Sequence, residues 1–374
     1  MELRTEVLII GGGLAGLCSA IHLSKAGKQV VLIEKNTYPQ HKVCGEYISN
    51  EVLPYLRYLD ADPAVLLPSQ ISRVQISNIT GKAFEATLPL GGFGVSRFRL
   101  DEYLYHKALE AGCVVVHDRV QSVQYLNDAF EVHTIDKTYM AKVVLGAYGK
   151  RAQLDQGLQR SFFKVKSPWL AVKAHYKGIH PSDLVSLHNF RGGYCGVSKV
   201  EKDIINLCYL VNYEAFKPFK NIAEHREQEL SRNPKLKHIL INSEMLFDEP
   251  LSISQVSFAH KEQVHEHILM MGDTAGLIHP LCGNGMSMAI HAAGICSNLV
   301  LGYLEGKIGS REALEKHYVQ QWNQHFKKRM VAGKLLSGIL LKPRRAEFVM
   351  NVLVKFPGLF KPMVKHTHGN PLLM

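Results

Sequence analysis

No stretch of this 374-residue sequence reads as the roughly eighteen consecutive apolar residues of a membrane-spanning helix. The seven cysteines, at 18, 44, 113, 195, 208, 282 and 296, contain no C-x-x-C pair and are odd in number. That argues against a disulfide framework or a zinc site and fits a reducing cytoplasm. The nineteen histidines form no H-x-x-x-H or H-E-x-x-H pattern, so no metal site is expected. There is no internal repeat and no low-complexity tract. The first apolar run starts directly after Glu6, which leaves no room for a signal peptide ahead of it. What remains is ordinary globular chain, 46% hydrophobic and 21% charged, long enough for two domains or one large interleaved one. Acids are the scarcer charge, 33 against 44 Lys and Arg, and the imbalance is local. Residues 327–374 hold ten Lys or Arg and one acid, Glu347, so this tail carries +9 of the formal +11.

The stretch that organises the rest is 6–34, E-V-L-I-I-G-G-G-L-A-G-L-C-S-A-I-H-L-S-K-A-G-K-Q-V-V-L-I-E. The apolar run 7–10 is long enough for a buried strand. Gly11, Gly13 and Gly16 follow in G-x-G-x-x-G spacing, and Leu14, Leu17, Ala20, Ile21 and Ala26 recur at helical intervals. A second apolar run, 29–33, closes on Glu34. Each residue has a task in this order of strand, turn, helix, strand and acid. Gly11 turns the chain off the strand, Gly13 leaves its backbone open to a pyrophosphate, and Gly16 lets the helix lie close on the sheet. Around Ala15 the free N–H groups of the first turn and the helix dipole favour a phosphate. Glu34, with Lys35 beside it, can accept bonds from ribose hydroxyls. The stretch reads as a dinucleotide-binding unit.

Further along, 35–49 is polar, carries Pro39 and Gly45, and reads as a loop. Asn50 is placed to cap a short helix over 51–59. A hairpin is expected from 71–76 and 83–88, and a helix from the face Leu100, Tyr103, Leu104, Ala108 and Leu109, stopped by Gly112. A buried strand over 114–116, a meander over 120–141 turned at Asn127-Asp128, and an apolar strand over 143–147 come next. Strand-like runs from 169 to 211 read as a second, mostly antiparallel sheet, followed by a polar helix over 223–231 and a strand over 255–260. A short strand over 268–271 then leads into G-D-T-A-G and a helix with Met286, Ala289, Ile290 and Ala293 on one face. The expected fold class is α/β. A Rossmann-like domain built from 1–70, 96–155 and 262–308 is interleaved with a mostly antiparallel β-sheet domain from 71–95 and 156–261, and a basic helical segment covers 309–374.

Gly272-Asp273 after a strand, with Pro280, Gly283 and Gly285 ahead of a helix, makes a second junction of the first kind. Asp273 can bind a ribityl hydroxyl, and the N–H groups at Gly285 and Met286 can face a flavin carbonyl. With both junctions in one chain, the sequence resembles the flavoprotein monooxygenase and reductase superfamily with the p-hydroxybenzoate hydroxylase fold. Within it, the sequence most resembles the geranylgeranyl reductase group. Four stretches carry the resemblance: G-G-G-L-A-G with Glu34; K-V-C-G-E-Y; S-R-F-R-L-D-E-Y-L; and G-D-T-A-G-L-I-H-P-L-C-G-N-G-M-S-M-A-I. The resemblance implies one extended FAD, with Arg97 and Val120 against the cofactor and Asp273 on its ribityl-phosphate side. Pro280, Gly285 and Met286 would lie beside the isoalloxazine ring, with Gly272 and Gly283 in the same turns. In the reductase group a Lys-x-Cys-Gly segment sits near the flavin, here Lys42, Cys44 and Gly45. Aromatic hydroxylases of the superfamily generally lack that cysteine. Cys44 is therefore a cofactor-side residue and a candidate for direct chemistry; the plain alternative is a packed thiol. Reductases of the group usually carry Y-x-W-x-F-P. Here the place reads G-G-Y-C-G-V-S-K, with Tyr194 kept and the Trp, Phe and Pro absent, and the W-x-W-x-I-P of flavin halogenases is missing.

The activity implied is a hydride transfer from reduced FAD to a carbon–carbon double bond of an apolar, isoprenoid- or polyketide-like small molecule. Hydroxylation by an FAD-dependent monooxygenase is the alternative, and a membrane-docked flavin protein without turnover is a reading of another class. No second G-x-G-x-x-G marks a nicotinamide site, which leaves NAD(P)H open as the electron donor. The tail interleaves apolar runs at 335–341, 348–354 and 356–364 with its cations. It reads either as helices with a solvated basic face or as a peripheral contact with the inner face of a membrane. No recognition motif accompanies the charge, so nucleic acid is not an expected partner. The expected location is cytoplasmic.

Overall fold

The computed structural model describes residues 3–340 without a break, and beyond them residues 342, 345, 347–349, 352, 371 and 372. The chain opens with β1 (Leu3–Ile10), α1 (Leu14–Lys25), β2 (Val30–Glu34), β3 (Tyr47–Ser49), α2 (Leu53–Tyr58), β4 (Ser69–Ser77), β5 (Ala83–Gly94), α3 (Arg97–Glu110) and β6 (Val114–His117). It continues through β7 (Ser122–Leu126), β8 (Ala129–His133), β9 (Thr138–Gly146), α4 (Gln153–Gly157), β10 (Trp169–Gly178), β11 (Leu184–Phe190), β12 (Gly193–Lys199) and β13 (Ile205–Asn212). Then come α5 (Tyr213–Phe216), α6 (Ile222–Gln228), α7 (Pro234–Ile241), β14 (Ser243–Met245), β15 (Leu251–Ile253), β16 (Val264–His265), β17 (Ile268–Met270), α8 (Gly285–Leu304) and α9 (Arg311–Leu340).

The first sheet has the order β16-β17-β9-β1-β2-β6, with β7 and β8 added through β9. β1 has a parallel neighbour on each side, and helices cover the sheet, so its V-L-I-I run is apolar throughout. Val7, Leu8 and Ile9 are fully buried. The register positions the site. Ile10 pairs with both Ile33 and Gly146, and Met270 pairs with Gly146. Gly11, Glu34, Ala147 and Gly272 therefore all leave the sheet at the carboxyl ends of parallel strands, where ligands of open α/β sheets bind.

The second sheet has the order β14-β10-β13-β12-β11-β4-β5-β3, with β15 also on β10. It is antiparallel apart from the β11–β4 pair. One cross-strand row of a single face reads Ile76, Leu187, Gly196, Cys208, Lys173. The neighbouring row has Val74 and Val185 at the β4–β11 end and Ser198, Asn206 and His175 at the β13–β10 end. This face is thus apolar on one half and polar on the other.

Several elements differ from expectation. The strands expected over 138–141 and 143–147 are one strand, β9, which pairs antiparallel with β8 and parallel with β1. β6 is an edge strand with Val114 57% exposed, since no described strand pairs beyond it. Residues 255–260 form no strand; the chain joins β10 earlier, at β15. The short helix begins at Leu53 after a 3-10 turn, and the cap comes from Ser49, whose Oγ accepts from Glu51 N, instead of Asn50. β3 lies in the second sheet, although 47–49 fell within the stretch assigned to the nucleotide domain. α7 was not foreseen, despite Asn233 capping it and Pro234 at its first turn. α8 is long and apolar enough to cross a membrane, contrary to the first reading of the sequence, but 67% of its most apolar window is buried inside the protein. Of the tail's apolar runs, the part beyond residue 340 lies largely outside the described residues.

Candidate active site

The two glycine-bearing junctions open into one cavity of about 870 Å³, lined by Gly13, Leu14 and Ala15 from the first and by Gly272, Asp273, Gly285 and Met286 from the second. A Cβ at Gly272 would lie 3.4 Å from the Ala15 Cβ, so the junctions touch. Each glycine of the first junction is constrained differently. Gly11 has φ +103°, and a Cβ there would strike the Ala147 carbonyl oxygen at 2.5 Å. A Cβ on Gly16 would fall 2.0 Å from the Gly11 oxygen, inside the helix–sheet contact. Gly13 faces the cavity, and the nearest atom to an added Cβ is Arg97 Nη2 at 3.7 Å. Gly11 serves the turn and Gly16 the helix–sheet contact; Gly13 leaves room for a ligand. Gly13 and Asn284, the N-caps of α1 and α8, bring no side-chain cap bond, so both helix starts present N–H groups to the cavity.

Glu34 ends β2 at the cavity edge. Its Oε2 accepts from Gly12 N at 2.7 Å and its Oε1 from Asn36 N at 3.0 Å, which orients a carboxylate that still has lone pairs for ribose hydroxyls. Tyr38, which sequence reasoning passed over, donates to the Gly12 carbonyl at 2.6 Å and stacks on Tyr105 with centroids 4.6 Å apart. These features fit an extended dinucleotide cofactor with its pyrophosphate over Gly13.

The segment 42–46 forms the seam between the sheets, and nearly every residue in it is tied down. Lys42 Nζ reaches Asp101 at 2.8 Å, and Arg97 binds the same carboxylate at 2.6 and 2.8 Å. The Val43 carbonyl accepts from Lys150 Nζ at 3.3 Å and the Cys44 carbonyl from Asn206 Nδ2 at 3.2 Å. Glu46 is fully buried and accepts from Lys173 Nζ at 2.5 Å, His175 Nε2 at 2.7 Å and Arg97 N at 2.7 Å. Burial alone would push the Glu46 carboxyl up, but Lys173 and His175 outweigh it and hold it below the ordinary carboxylate value. His41 stacks on Phe98 and stands edge-on to His175; burial, then Lys173, lowers it to about 4, so the ring is neutral. Cys44 lines the cavity, and the cation beside its side chain is Arg97, while the Lys42 amine is turned to Asp101.

Behind the second junction lies another pair of cations. Lys261, 2% exposed, donates to the carbonyls of Lys150 at 2.6 Å and Asp273 at 2.7 Å, and its amine is 4.3 Å from the Phe162 ring centroid. Burial pushes it down to about 8. Arg160, fully buried, bonds Asp155, the Thr274 carbonyl and the Glu262 carbonyl, each at 3.0 Å. Together they fix the two loops that leave β9 and β17.

Of the residues singled out from sequence, Gly13, Ala15, Glu34, Lys35, Cys44, Gly45, Arg97, Gly272, Asp273, Pro280, Gly283, Gly285 and Met286 all line this one cavity. Gly11 and Gly16 are behind its wall, as their turn and packing roles require. Val120 is outside it. That residue follows β6 and packs, partly buried, against the apolar core of the first sheet. Lys173, His175, Asn206, Lys261 and Arg160 were missed. The only sequence-level trace of the first two is K-A-H, a lysine and a histidine on one face of an otherwise apolar strand.

Residues 6–47 match the family model described as FAD dependent oxidoreductase. A digeranylgeranylglycerophospholipid reductase of Methanosphaera stadtmanae is 23% identical over 353 residues, covering 87% of this chain and 85% of its own. Among solved structures, the flavin-dependent brominase Bmp2 superposes with TM-score 0.80 at 20% identity, over 97% of this chain and 93% of its own. A geranylgeranyl bacteriochlorophyll reductase-like protein from Thermoplasma acidophilum gives 0.76 at 16%, over 100% and 94%. Identities this low speak to fold. The fold, the family match and the cavity together define an FAD-dependent oxidoreductase, with FAD as its cofactor. It shares its fold with a geranylgeranyl bacteriochlorophyll reductase-like protein and with flavin-dependent halogenases.

Proposed function

We propose that this protein reduces a carbon–carbon double bond in an apolar, isoprenoid- or polyketide-like small molecule. The observation that carries the reading is the continuity of the cavity. Its wall runs from Gly13 and Asp273, past Cys44 and Pro280, to Val74, Ile76, Val185 and Leu187 on the apolar half of the second sheet. FAD, when bound, supplies a hydride to the substrate. Gly13, Ala15, Glu34, Lys35 and Arg97 would hold its nucleotide side, and Asp273, Gly285 and Met286 its flavin side. The rest belongs to the chain. Segment 42–46 separates the cofactor from the polar half of the sheet, the apolar half holds the substrate out of water, and Cys44 borders both. In domain terms, 1–70, 96–155 and 262–308 hold the cofactor, and 71–95 with 156–261 holds the substrate, with β3 contributed from the first set.

NAD(P)H is the proposed electron donor. The exposed Val331 and Leu335 on α9, next to the exposed Lys327 and Lys328, support peripheral contact with an anionic membrane surface on the cytoplasmic side. Reoxidation of the NADPH-reduced protein by candidate alkenes, with and without oxygen, tests the reading. Reduced product formed anaerobically is the expected result. Turnover that stops without oxygen would instead mean hydroxylation, and no substrate-dependent reoxidation at all would leave a flavin-holding protein without turnover.

A further inference from the structure

Buried tyrosine hydroxyls in this protein are almost all satisfied. Tyr55 meets His22 Nδ1 at 3.0 Å, Tyr176 accepts from Arg226 at 3.2 Å, Tyr209 meets His225 at 3.4 Å, and Tyr318 donates to the Met270 carbonyl at 2.5 Å. Tyr139 has no partner among the described residues, and its hydroxyl is sealed from any ligand. Tyr194 differs from all of these. It is 4% exposed and lines the cavity, its hydroxyl has no hydrogen-bond partner among the described residues, and it is not among the sealed polar atoms.

Its surroundings are apolar apart from the buried Asn189, opposite it on β11. The side chain stands in the cross-strand row Tyr194, Leu210, Ala171, and Val256, Leu277 and Leu281 close the nook around it. The ring lies 6.0 Å from that of His279, whose Nδ1 accepts from Leu281 N in the turn ahead of α8. Thus a single accessible hydroxyl stands in a greasy recess beside the cofactor side of the cavity. A buried phenol normally finds a partner, and a ligand that covers this one without bonding it leaves a desolvated polar group behind.

We propose that Tyr194 Oη is the recognition group for an oxygen of the substrate, and that the substrate is a conjugated, oxygen-bearing molecule, an enone, and not a plain hydrocarbon chain. This rests on the reading that the apolar half of the second sheet holds the substrate. Burial among apolar neighbours raises the Tyr194 hydroxyl well above the ordinary tyrosine value, so it keeps its proton and acts as the donor. With an enone, the hydride would form a C–H bond at the β-carbon, the π electron pair would shift towards the oxygen held by Tyr194, and solvent water would return a proton to the α-carbon once the enolate leaves the recess. Tyr194 keeps its own proton throughout.

The test is a titration of the FAD-loaded protein with 4-chlorophenol and with chlorobenzene, read by the flavin absorbance and by calorimetry, for wild type and Tyr194→Phe. The expected result is tighter binding of the phenol by wild type, a loss of about 2- to 13-fold for the phenol in Tyr194→Phe, and no change for chlorobenzene. Equal phenol affinity in the two proteins overturns the proposal. Should Tyr194→Phe fail to fold, wild type alone decides: no preference for the phenol over chlorobenzene also overturns it. Calorimetry separates this from the functional reading, because phenol selectivity that depends on Tyr194 stands even if no alkene is ever reduced.

Discussion

Replacing Lys173 by Met should be among the most damaging single changes in the protein, although the residue touches neither cofactor nor solvent. Lys173 and Glu46 are both fully buried and 2.5 Å apart. Removing one partner of such a pair leaves an uncompensated buried charge and costs about 3–5 kcal/mol. At roughly 2.1 cal/mol/K of unfolding entropy per residue, that lowers the melting temperature of a chain this long by about 4–6 °C if it melts as one unit. Glu46→Gln with Lys173→Met removes both charges, so the double variant should melt above the sum of the two single losses. The pH dependence gives an independent reading. Glu46 is held below the ordinary carboxylate value in the folded state, so its stabilisation is present above that value and is lost as pH falls through the folded value. Without Lys173, burial is less opposed and the carboxyl rises towards its unfolded value, so this stabilisation and its loss on acidification must both shrink. Thermal melts followed by circular dichroism from about pH 3 to 8 measure both effects. A Lys173→Met loss under about 1 kcal/mol, or strictly additive variants, would refute the idea that this pair bolts the segment carrying Cys44 to the second sheet.

Gly13→Ala should leave the melting temperature of the apoprotein unchanged and weaken FAD by about tenfold or more, because the added methyl enters the space meant for the pyrophosphate. Gly16→Ala should do the reverse first, costing at least about 1–3 kcal/mol of fold stability by overpacking against the Gly11 oxygen; equal behaviour of the two variants in melts and FAD titrations would contradict the division of roles. Lys261 is pushed down to about 8, so the unfolded chain binds its proton more tightly above that pH and stability should rise from about pH 8 towards the ordinary lysine value. Denaturant midpoints at pH 7.5 and 9.5 should show this rise in wild type and lose it in Lys261→Met. Flotation with anionic vesicles should carry the protein down in affinity by about fivefold for each of Lys327→Gln and Lys328→Gln, and weaken with salt; equal binding to neutral vesicles would exclude the electrostatic contact.

The first sheet was legible because its information is local. Strand, glycine turn, helix and acid lie within 6–34, and each position has one physical task that the structure assigns to it, from the left-handed φ of Gly11 to the cavity-facing Gly13. The second junction was legible for the same reason, although bringing Asp273 beside Ala15 takes two chain excursions. Local pattern misled where pairing decides the outcome. Residues 114–116 are as apolar as a central strand, but no described strand pairs beyond β6, and 255–260 has strand-like residues but joins neither sheet. The charge network was hidden for a different reason. Glu46, Lys173 and His175 are separated by 127 and 129 positions, and a lysine or histidine on an apolar strand carries no mark of its partner. Only the β10–β13 register, which puts Lys173 in the row of Cys208 and His175 in the row of Asn206, reveals that the polar half of the face lies under segment 42–46. The motif K-V-C-G-E was read from sequence for its cysteine, but its glutamate anchors the segment. A carboxylate that joins α3, β10 and its own loop sets the distance between the two sheets, and with it the width of the space that Cys44 and Tyr194 border.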